Sequence, residues 1–177
     1  MLMAEKKGRK KTGGTAARVY DIAKPIADRL GIEIWDVVFE KEGAYHYLKV
    51  LIEKEDGVDM DDCEALSRPL SKALDDADPI EDSYILEVGS PGLGRKLRLP
   101  RHFKEYVGCP VRIRYIRETD GVKEFIAVMT AYDEEKNEIT AVAEDDSEKI
   151  VKLSETAFVK LCDDEDFSDI LGEDEDE

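Results

Sequence analysis

The sequence is poor in the residues that build metal sites, disulfides and catalytic centres. Its 177 residues include three cysteines, two histidines and one tryptophan. Cys63, Cys109 and Cys162 are odd in number and far apart, and none belongs to a CxxC pair. This spacing indicates neither a zinc site nor a disulfide framework. We interpret all three as small core residues of a protein from a reducing compartment.

Long apolar runs are also absent. No stretch approaches the roughly 20 apolar residues that a membrane-spanning helix requires, and we expect no signal peptide. The hydrophobic share of 42% is nevertheless large enough for a buried core. The sequence therefore predicts a cytoplasmic protein that does not associate with membranes.

Candidate catalytic groups are few. His46 falls on the apolar face of a predicted strand, and His102 lies among basic residues, where hydrogen bonding or RNA contact is favoured over general base catalysis. Ser90 precedes a proline and lacks a G-x-S-x-G elbow. No pair of carboxylates stands out as sharing an apolar pocket. We predict no catalytic residues, no metal and no cofactor, and we favour a non-enzymatic protein.

Positive charge is scarce overall but concentrated in one segment. The net charge is −17, whereas residues 91–117 carry +7 and residues 1–18 carry +5. The other segments are acidic: residues 19–90 carry −12, residues 118–162 carry −7 and residues 163–177 carry −10. A balance this negative argues against nonspecific coating of nucleic acid, but it permits phosphate contacts on one local surface.

The basic segment follows a loop rich in glycine and proline, GSPGLG at residues 89–94. No helix or strand continues through such a composition. Gly89 and Gly94 have the spacing of a phosphate-binding loop, but the lysine and Ser/Thr that should follow are replaced by Arg95, Lys96 and Leu97. Nucleotide binding is therefore disfavoured. We interpret the loop as a turn and hinge between two domains, formed by Ser90, Pro91, Gly92 and Gly94.

The residues before the loop alternate between helical and strand patterns. A first helix is predicted to begin at Thr15 as its N-cap and to end at Gly31, with Pro25 either kinking it or starting a second piece. Residues 32–40 and 45–53 alternate as in a hairpin. Asp59 is predicted to cap a second helix, bent at Pro69, and Tyr84–Val88 to form a third strand.

A calcium loop at the start of the second helix is excluded. The fifth and sixth positions of such a loop would be Cys63 and Glu64, whereas an EF-hand needs an oxygen ligand and then a glycine. Helix capping explains the acidic start better. The order α-β-β-α-β predicts a two-layer domain whose crossover connection is right-handed.

Beyond the loop the sequence predicts a short helix and then only strands. The helix spans residues 100–107 and ends at Gly108. The strands span residues 111–116, 123–132, 138–143, 149–153 and 157–162, with a helical turn at residues 154–156. Five short strands with tight turns favour a small barrel of SH3 or Sm type, because closure removes the edges of the sheet.

The predicted fold class is therefore α+β with two domains. A disordered basic tail (1–14) precedes the N-terminal α-β-β-α-β domain (15–90). A basic junction (91–108) leads to the SH3/Sm-like five-stranded barrel (109–162), and a disordered acidic tail (163–177) follows.

The central part of the sequence resembles a known family. The segment GVDMDDCEALSRPLSKALDDADPIEDSYILEVGSPGLGRKL, followed by HFKEYVG, is similar to the RimP family of bacterial ribosome maturation factors. The similarity extends over roughly residues 16–162. Three positions depart from the family pattern: Gly89 stands where serine is usual, Gly94 where aspartate is usual, and Lys96 where proline is usual.

The resemblance implies a non-enzymatic factor that binds the free, immature small ribosomal subunit, that is, 16S rRNA and a basic ribosomal protein. The candidate contacts to rRNA are Arg95, Lys96, Arg98, Arg101, His102, Lys104, Arg112 and Arg114. The candidate contacts to the protein are acidic, because a negative surface attracts a positive partner: Asp61, Asp62, Asp75 and Asp78. For Asp61 and Asp62 the competing explanation is helix capping alone. For the basic residues it is a solvated surface on which they pair with nearby carboxylates. We expect a monomer; the alternative is a general Sm-like RNA-binding module that works as a ring.

Overall fold

The computed structural model describes residues 14–163 and Asp166. Its contacts divide the chain into two units between Pro91 and Gly92, and each unit is described by itself. The first contains helices α1 (Thr15–Leu30) and α2 (Met60–Ala77) and strands β1 (Glu33–Glu42), β2 (Tyr45–Glu53) and β3 (Tyr84–Gly89). The second contains helix α3 (Pro100–Glu105) and strands β4 (Pro110–Thr119), β5 (Val122–Asp133), β6 (Glu138–Ala143), β7 (Glu148–Lys152) and β8 (Thr156–Leu161).

Helix α1 is one continuous helix that begins one residue earlier than predicted. Gly14 is its N-cap, with no side-chain capping bond, so the prediction of Thr15 as the N-cap is wrong. Pro25 neither breaks the helix nor starts a second piece. Asp21 and Pro25 are both exposed, so water can satisfy the Asp21 carbonyl that loses its partner amide. The predicted end is confirmed, because Gly31 adopts a left-handed conformation with φ of 67°.

The β1–β2 hairpin contains a bulge that the alternation did not predict. Trp35 is the extra residue between the pairs Ile34–Ile52 and Asp36–Leu51. Consequently four consecutive residues, 34–37, are buried, and the alternation predicted for residues 32–40 is wrong at this point. Strand β2 has no such interruption, and its apolar face of Leu48, Val50 and Ile52 is buried as predicted.

The predicted capping of α2 is confirmed. The Asp59 carboxylate accepts a hydrogen bond from the Asp62 amide at 2.8 Å, and the Asp62 carboxylate accepts one from the Asp59 amide at 3.1 Å. The helix continues through Pro69. It then leads to β3, which pairs parallel to β2 and gives a sheet of order β1-β2-β3. Apolar residues of both helices and of the sheet share one buried cluster, so the unit is two-layered.

The second unit is a five-stranded antiparallel sheet of order β7-β6-β5-β4-β8. All five predicted strands are present, although β4 extends three residues further than predicted and α3 ends two residues sooner. Its buried side chains include Val111, Ile113, Met129, Ile139 and Val151. Within the part of the chain that the structure describes, no helix is both long and apolar enough to cross a membrane.

The capping box of α2 predicts that Asp59 contributes to the stability of the first unit. Replacing Asp59 by alanine leaves the Asp62 amide without its acceptor and should lower the free energy of unfolding by about 1 kcal/mol. Trp35, the only tryptophan, lies in this unit, so urea unfolding followed by its fluorescence measures the effect. Asp61→Asn is the control, because Asp61 is exposed in the same helical turn. Equal losses in the two variants would contradict the capping role.

Candidate nucleic-acid interface

The basic junction begins as an additional short strand beside β8. The Leu97 amide donates to the Val159 carbonyl at 2.7 Å, and the Leu161 amide donates to the Arg95 carbonyl at 3.0 Å. Between them, Lys96 pairs antiparallel with Lys160. Strand β8 is an end strand of the sheet, so residues 95–97 cover part of an edge that would otherwise be open to pairing.

This pairing aligns cations in a row across the sheet. Val111, Ile113 and Tyr115 of β4 are buried, so the alternating Arg112 and Arg114 lie on the opposite side. Arg112 is paired with Lys160, and Arg114 with Phe158. Directly paired residues share a face. We call this surface the cationic face, and it consists of Lys96, Arg112, Arg114, Phe158 and Lys160.

An aromatic ring lies within the cationic face. The Lys96 and Lys160 ammonium groups are 5.9 Å and 5.8 Å from the centroid of the Phe158 ring, which is the range of cation–π contacts. The ring is half-buried. A stacking platform beside cations is the combination by which proteins bind single-stranded nucleic acid. The cationic face can therefore offer both phosphate contacts and base stacking.

Carboxylates already neutralise part of this surface. Arg112 contacts Glu124 at 3.3 Å and Asp166 at 2.5 Å, and Arg114 contacts Glu124 at 3.7 Å. On α3, Lys104 forms an ion pair with Glu134. Lys104, Arg112 and Arg114 thus form ion pairs of the kind that the sequence analysis kept as the alternative to rRNA contact.

Asp166 is the most buried carboxylate of the group, with 4% of its surface exposed. Burial by itself would raise the pKa of Asp166, but hydrogen bonds from the Asp163 amide and Arg112 outweigh it, and the pKa is lowered below its ordinary value. The carboxylate is therefore held in its charged form. Burial also disfavours the charged form of Arg112, but Asp166 and Glu124 more than compensate and the pKa of Arg112 is raised.

The structure brings together only some of the cations predicted from the sequence. Lys96, Arg112 and Arg114 lie on the cationic face, whereas Arg101 and Lys104 lie on α3. The Arg95 Nε donates to the Gly92 carbonyl at 3.0 Å. Arg98 is exposed, and its backbone amide donates to His102. These other cations stay candidates for contacts outside the row.

His102 requires a correction. Its side chain has 0% exposure, and its Nδ1 accepts hydrogen bonds from the backbone amides of Arg98 and Leu99, both at 3.0 Å. The imidazole thus satisfies amides at the N-terminus of α3, a task that a Glu or Gln side chain performs in a capping box. A side chain without exposed surface does not contact a phosphate, and we remove His102 from the candidates.

Phe158 and Lys160 are functional candidates that the sequence analysis missed. They lie in a segment of net charge −7, about 50 residues after the end of the basic junction. Only the pairing of β8 with both β4 and residues 95–97 brings them to the other cations. The alternation of Phe158, Val159 and Lys160 indicates that Phe158 and Lys160 share a face of the strand. It does not indicate which strands lie beside it.

The loop residues divide between the two units. Ser90 and Pro91 belong to the first unit, and Gly92 and Gly94 to the second. Gly92 has φ of 79°, which favours glycine. Gly94 has another reason to be glycine: a Cβ there would lie 2.7 Å from Asp163 Oδ2. The proposed hinge function of these residues stays a prediction.

The acidic candidates do not form one surface. Asp61 and Asp62 begin α2, whereas Asp75 is in its last turn and Asp78 is its C-cap. An 18-residue helix is about 27 Å long, so the two pairs are far apart. Asp62 caps the helix and contacts Lys54 at 3.1 Å. Asp75 and Asp78 line an open groove of about 540 Å³ with Tyr84, where burial and then the two carboxylates raise the pKa of Tyr84.

No cluster of three or more His, Cys, Asp or Glu side chains within residues 14–163 and Asp166 is arranged to hold a metal ion. The cationic face offers charge contacts and one half-buried aromatic ring. An α/β unit joined to a β-sheet unit makes this chain a mixed α+β protein.

Comparison with protein families identifies the first unit more closely. Residues 22–94 match the model of the RimP N-terminal domain, a range that begins in α1 and ends after β3. For these residues the resemblance to the RimP family drawn from the sequence is confirmed. This is a family of ribosome maturation factors, generally non-enzymatic, and it implies association with the small ribosomal subunit.

The Arg112–Asp166 pair predicts a dependence of stability on pH. The pKa of Asp166 is lower in the folded protein than its ordinary value of 3.8. The contribution to stability is therefore complete above about pH 5 and is lost as the pH falls below 4. Calorimetric melting of the native protein and of Asp166→Asn should differ at pH 6 and converge towards pH 3. A difference that stays constant over this range would contradict the pairing.

Proposed function

We propose that the protein binds the free, immature small (30S) ribosomal subunit and assists its assembly without catalysing a reaction. The match of residues 22–94 to the RimP N-terminal domain carries this proposal. The cationic face supports it, because it offers a surface for rRNA in the second unit. On this proposal the protein acts in the cytoplasm, where subunits are assembled, and needs no cofactor.

The contacts divide between the two units. In the second, Lys96, Arg112, Arg114 and Lys160 contact phosphates of 16S rRNA, with Arg95, Arg98, Arg101 and Lys104 as further contacts. In the first, the groove beside Asp75 and Asp78 is the surface for a basic ribosomal protein, because opposite charge favours the encounter. Asp61 is a second acidic contact, whereas the geometry of Asp62 is explained by capping.

We also propose that the five strands of the second unit close into an SH3/Sm-like barrel and that the protein works as a monomer. The alternative, an Sm-like ring, needs strand edges on both sides of each copy, because a ring is closed by head-to-tail contacts. Residues 95–97 already occupy part of the outer edge of β8. A ring that used this edge would have to displace them, which favours the monomer.

Capture from a cell lysate tests the function directly. The tagged protein should retain immature small subunits and should not retain 70S ribosomes. Light scattering should give a molar mass near 20.0 kDa, the mass of one chain. Retention of assembled ribosomes in preference to free subunits would reject the maturation function. A mass several times larger would favour the ring.

The phosphate contacts can be tested by salt dependence. Replacing Lys96 and Lys160 by glutamine removes two cations from the row, so the slope of log affinity against log salt concentration for small subunits should become shallower by about 1.5. Lys72→Gln with Lys136→Gln is the matched control, because both lysines are exposed and neither lies on the cationic face. An unchanged slope in the first variant, with cosedimentation as the measurement, would place the rRNA contact elsewhere.

The aromatic contact has a separate test. Phe158→Leu keeps an apolar side chain but removes the stacking ring, and it should weaken binding of a single-stranded oligonucleotide about tenfold. Binding of duplex RNA, whose bases are already stacked, should change less than about twofold. Phe125→Leu is the control: its ring also has a nearby lysine, Lys149 at 4.6 Å, but its register partner is the buried Ile113. Equal effects of the two substitutions would contradict a stacking function.

A further inference from the structure

The first residues of the acidic C-terminal segment are part of the folded second unit. The Asp163 amide donates to Asp166 Oδ2 at 2.9 Å, and the Asp166 amide donates to Asp163 Oδ1 at 3.0 Å. Just before them, the Cys162 amide donates to the Pro110 carbonyl at 3.2 Å. The two carboxylates therefore have defined positions at the start of β4.

Asp166 contacts a basic side chain of the second unit, and Asp163 lies against the basic junction at Gly94. Asp166 Oδ1 accepts from Arg112 Nε at 2.5 Å, so it occupies a guanidinium of the cationic face. The Asp163 carboxylate lies over Gly94, next to Arg95 in the sequence, in the space that a side chain at position 94 would fill. Gly94 is thus the residue that lets the C-terminal segment approach the junction.

We propose that Asp166, positioned by its hydrogen bonds with Asp163, is an internal competitor of RNA for the cationic face. Carboxylate and phosphate oxygens accept hydrogen bonds from a guanidinium in the same way. A phosphate that contacts Arg112 through its Nε must first displace Asp166. This inference rests on the proposed function, since it assigns phosphate contact to that face.

The covalent connection of Asp166 to the cationic face strengthens the competition. A competitor attached to the same chain has a high effective concentration, on the order of millimolar for a short connection. A lone phosphate or a short RNA competes poorly with it, whereas a large RNA surface that engages several cations at once competes well. The competitor therefore favours structured rRNA over scattered single strands.

A purely structural role for the Arg112–Asp166 pair makes the opposite prediction. If Asp166 served only to hold Arg112 in position, its removal would weaken RNA binding or leave it unchanged. If it competes, its removal strengthens RNA binding even though stability falls. The direction of the change in affinity therefore distinguishes the two roles.

The test measures binding of a labelled 20-nucleotide oligo(U) at low salt by the full-length chain. Asp163→Asn with Asp166→Asn should bind it about fivefold more tightly than the native protein, since the cations are released. Glu118→Gln with Glu135→Gln is the control for the change in net charge. Both residues are exposed, and Glu118 lies six residues beyond Arg112 on β4, about 20 Å along the strand.

A second variant displaces the competitor without changing any charge. Gly94→Ala places a Cβ 2.7 Å from Asp163 Oδ2, and the flexible carboxylate has to move away. Because Asp163 accepts the hydrogen bond of the Asp166 amide, its movement should loosen Asp166 on Arg112, and oligo(U) binding should become about twofold to threefold tighter. Gly89→Ala is its control, because no atom lies within 4 Å of a Cβ added there. If the double asparagine variant does not fold, Gly94→Ala alone tests whether Asp166 competes with RNA.

The outcomes separate the two proposals. Tighter binding by both variants, with unchanged controls, supports the competitor. If the native protein binds oligo(U) and small subunits and both folded variants bind no more tightly, the competitor is rejected and the proposed function stands. If neither the native protein nor the variants bind oligo(U), and small subunits are not captured, the cationic face is not an RNA site and both proposals are rejected.

Discussion

The alternation of β4 is the constraint on which the cationic face depends. Val111, Ile113 and Tyr115 supply buried area to the core of the second unit, and each buried side chain of this kind contributes about 2 kcal/mol to folding. A shift of the strand by one residue would expose all three and bury Arg112 and Arg114 instead. The hydrophobic core therefore fixes the position of the arginines, although it does not touch them.

The same register recruits residues that are remote in the sequence. Strand β8 pairs with β4 on one side and with residues 95–97 on the other. Each of the three segments contributes one or two residues to the cationic face, which is about three strands wide. Without β8, Lys96 would be a loop residue with no relation to Arg112. The cationic face is thus a property of strand pairing more than of local charge, and the +7 of residues 91–117 only supplies some of its members.

Local features of the fold could be predicted from the sequence because they depend on neighbours in the chain. The Asp59 cap, the Gly31 end of α1 and the alternation of β2 each follow from residues a few positions apart. The bulge at Trp35 and the burial of His102 could not be predicted in this way. Both depend on how residues pack in three dimensions. A histidine that accepts hydrogen bonds from backbone amides has the same sequence context as one that faces RNA.

The candidate site was predictable only in part for the same reason. Lys96, Arg112 and Arg114 are evident as cations, but a cation in the sequence does not reveal its carboxylate partner. Glu124 is identifiable as a neighbour of Arg112 and Arg114 once β4 and β5 are paired. Asp166 is not, because it lies in a segment whose composition predicts disorder. The sequence therefore overstates the charge that the face offers.

In the proposed function, the ion pairs of these cations change what determines the affinity for RNA. Carboxylate and phosphate oxygens accept hydrogen bonds from a guanidinium in the same way, so exchanging one carboxylate for one phosphate is nearly balanced. A single exchange therefore gives little net binding, and useful affinity needs several exchanges at once. Simultaneous contacts require phosphates at the spacing of the row, which a folded rRNA surface holds fixed and a flexible strand does not. In a protein of net charge −17, repulsion from the remaining surface makes every other approach less favourable. Affinity and selectivity then have one origin: the number of cations that the RNA can reach together.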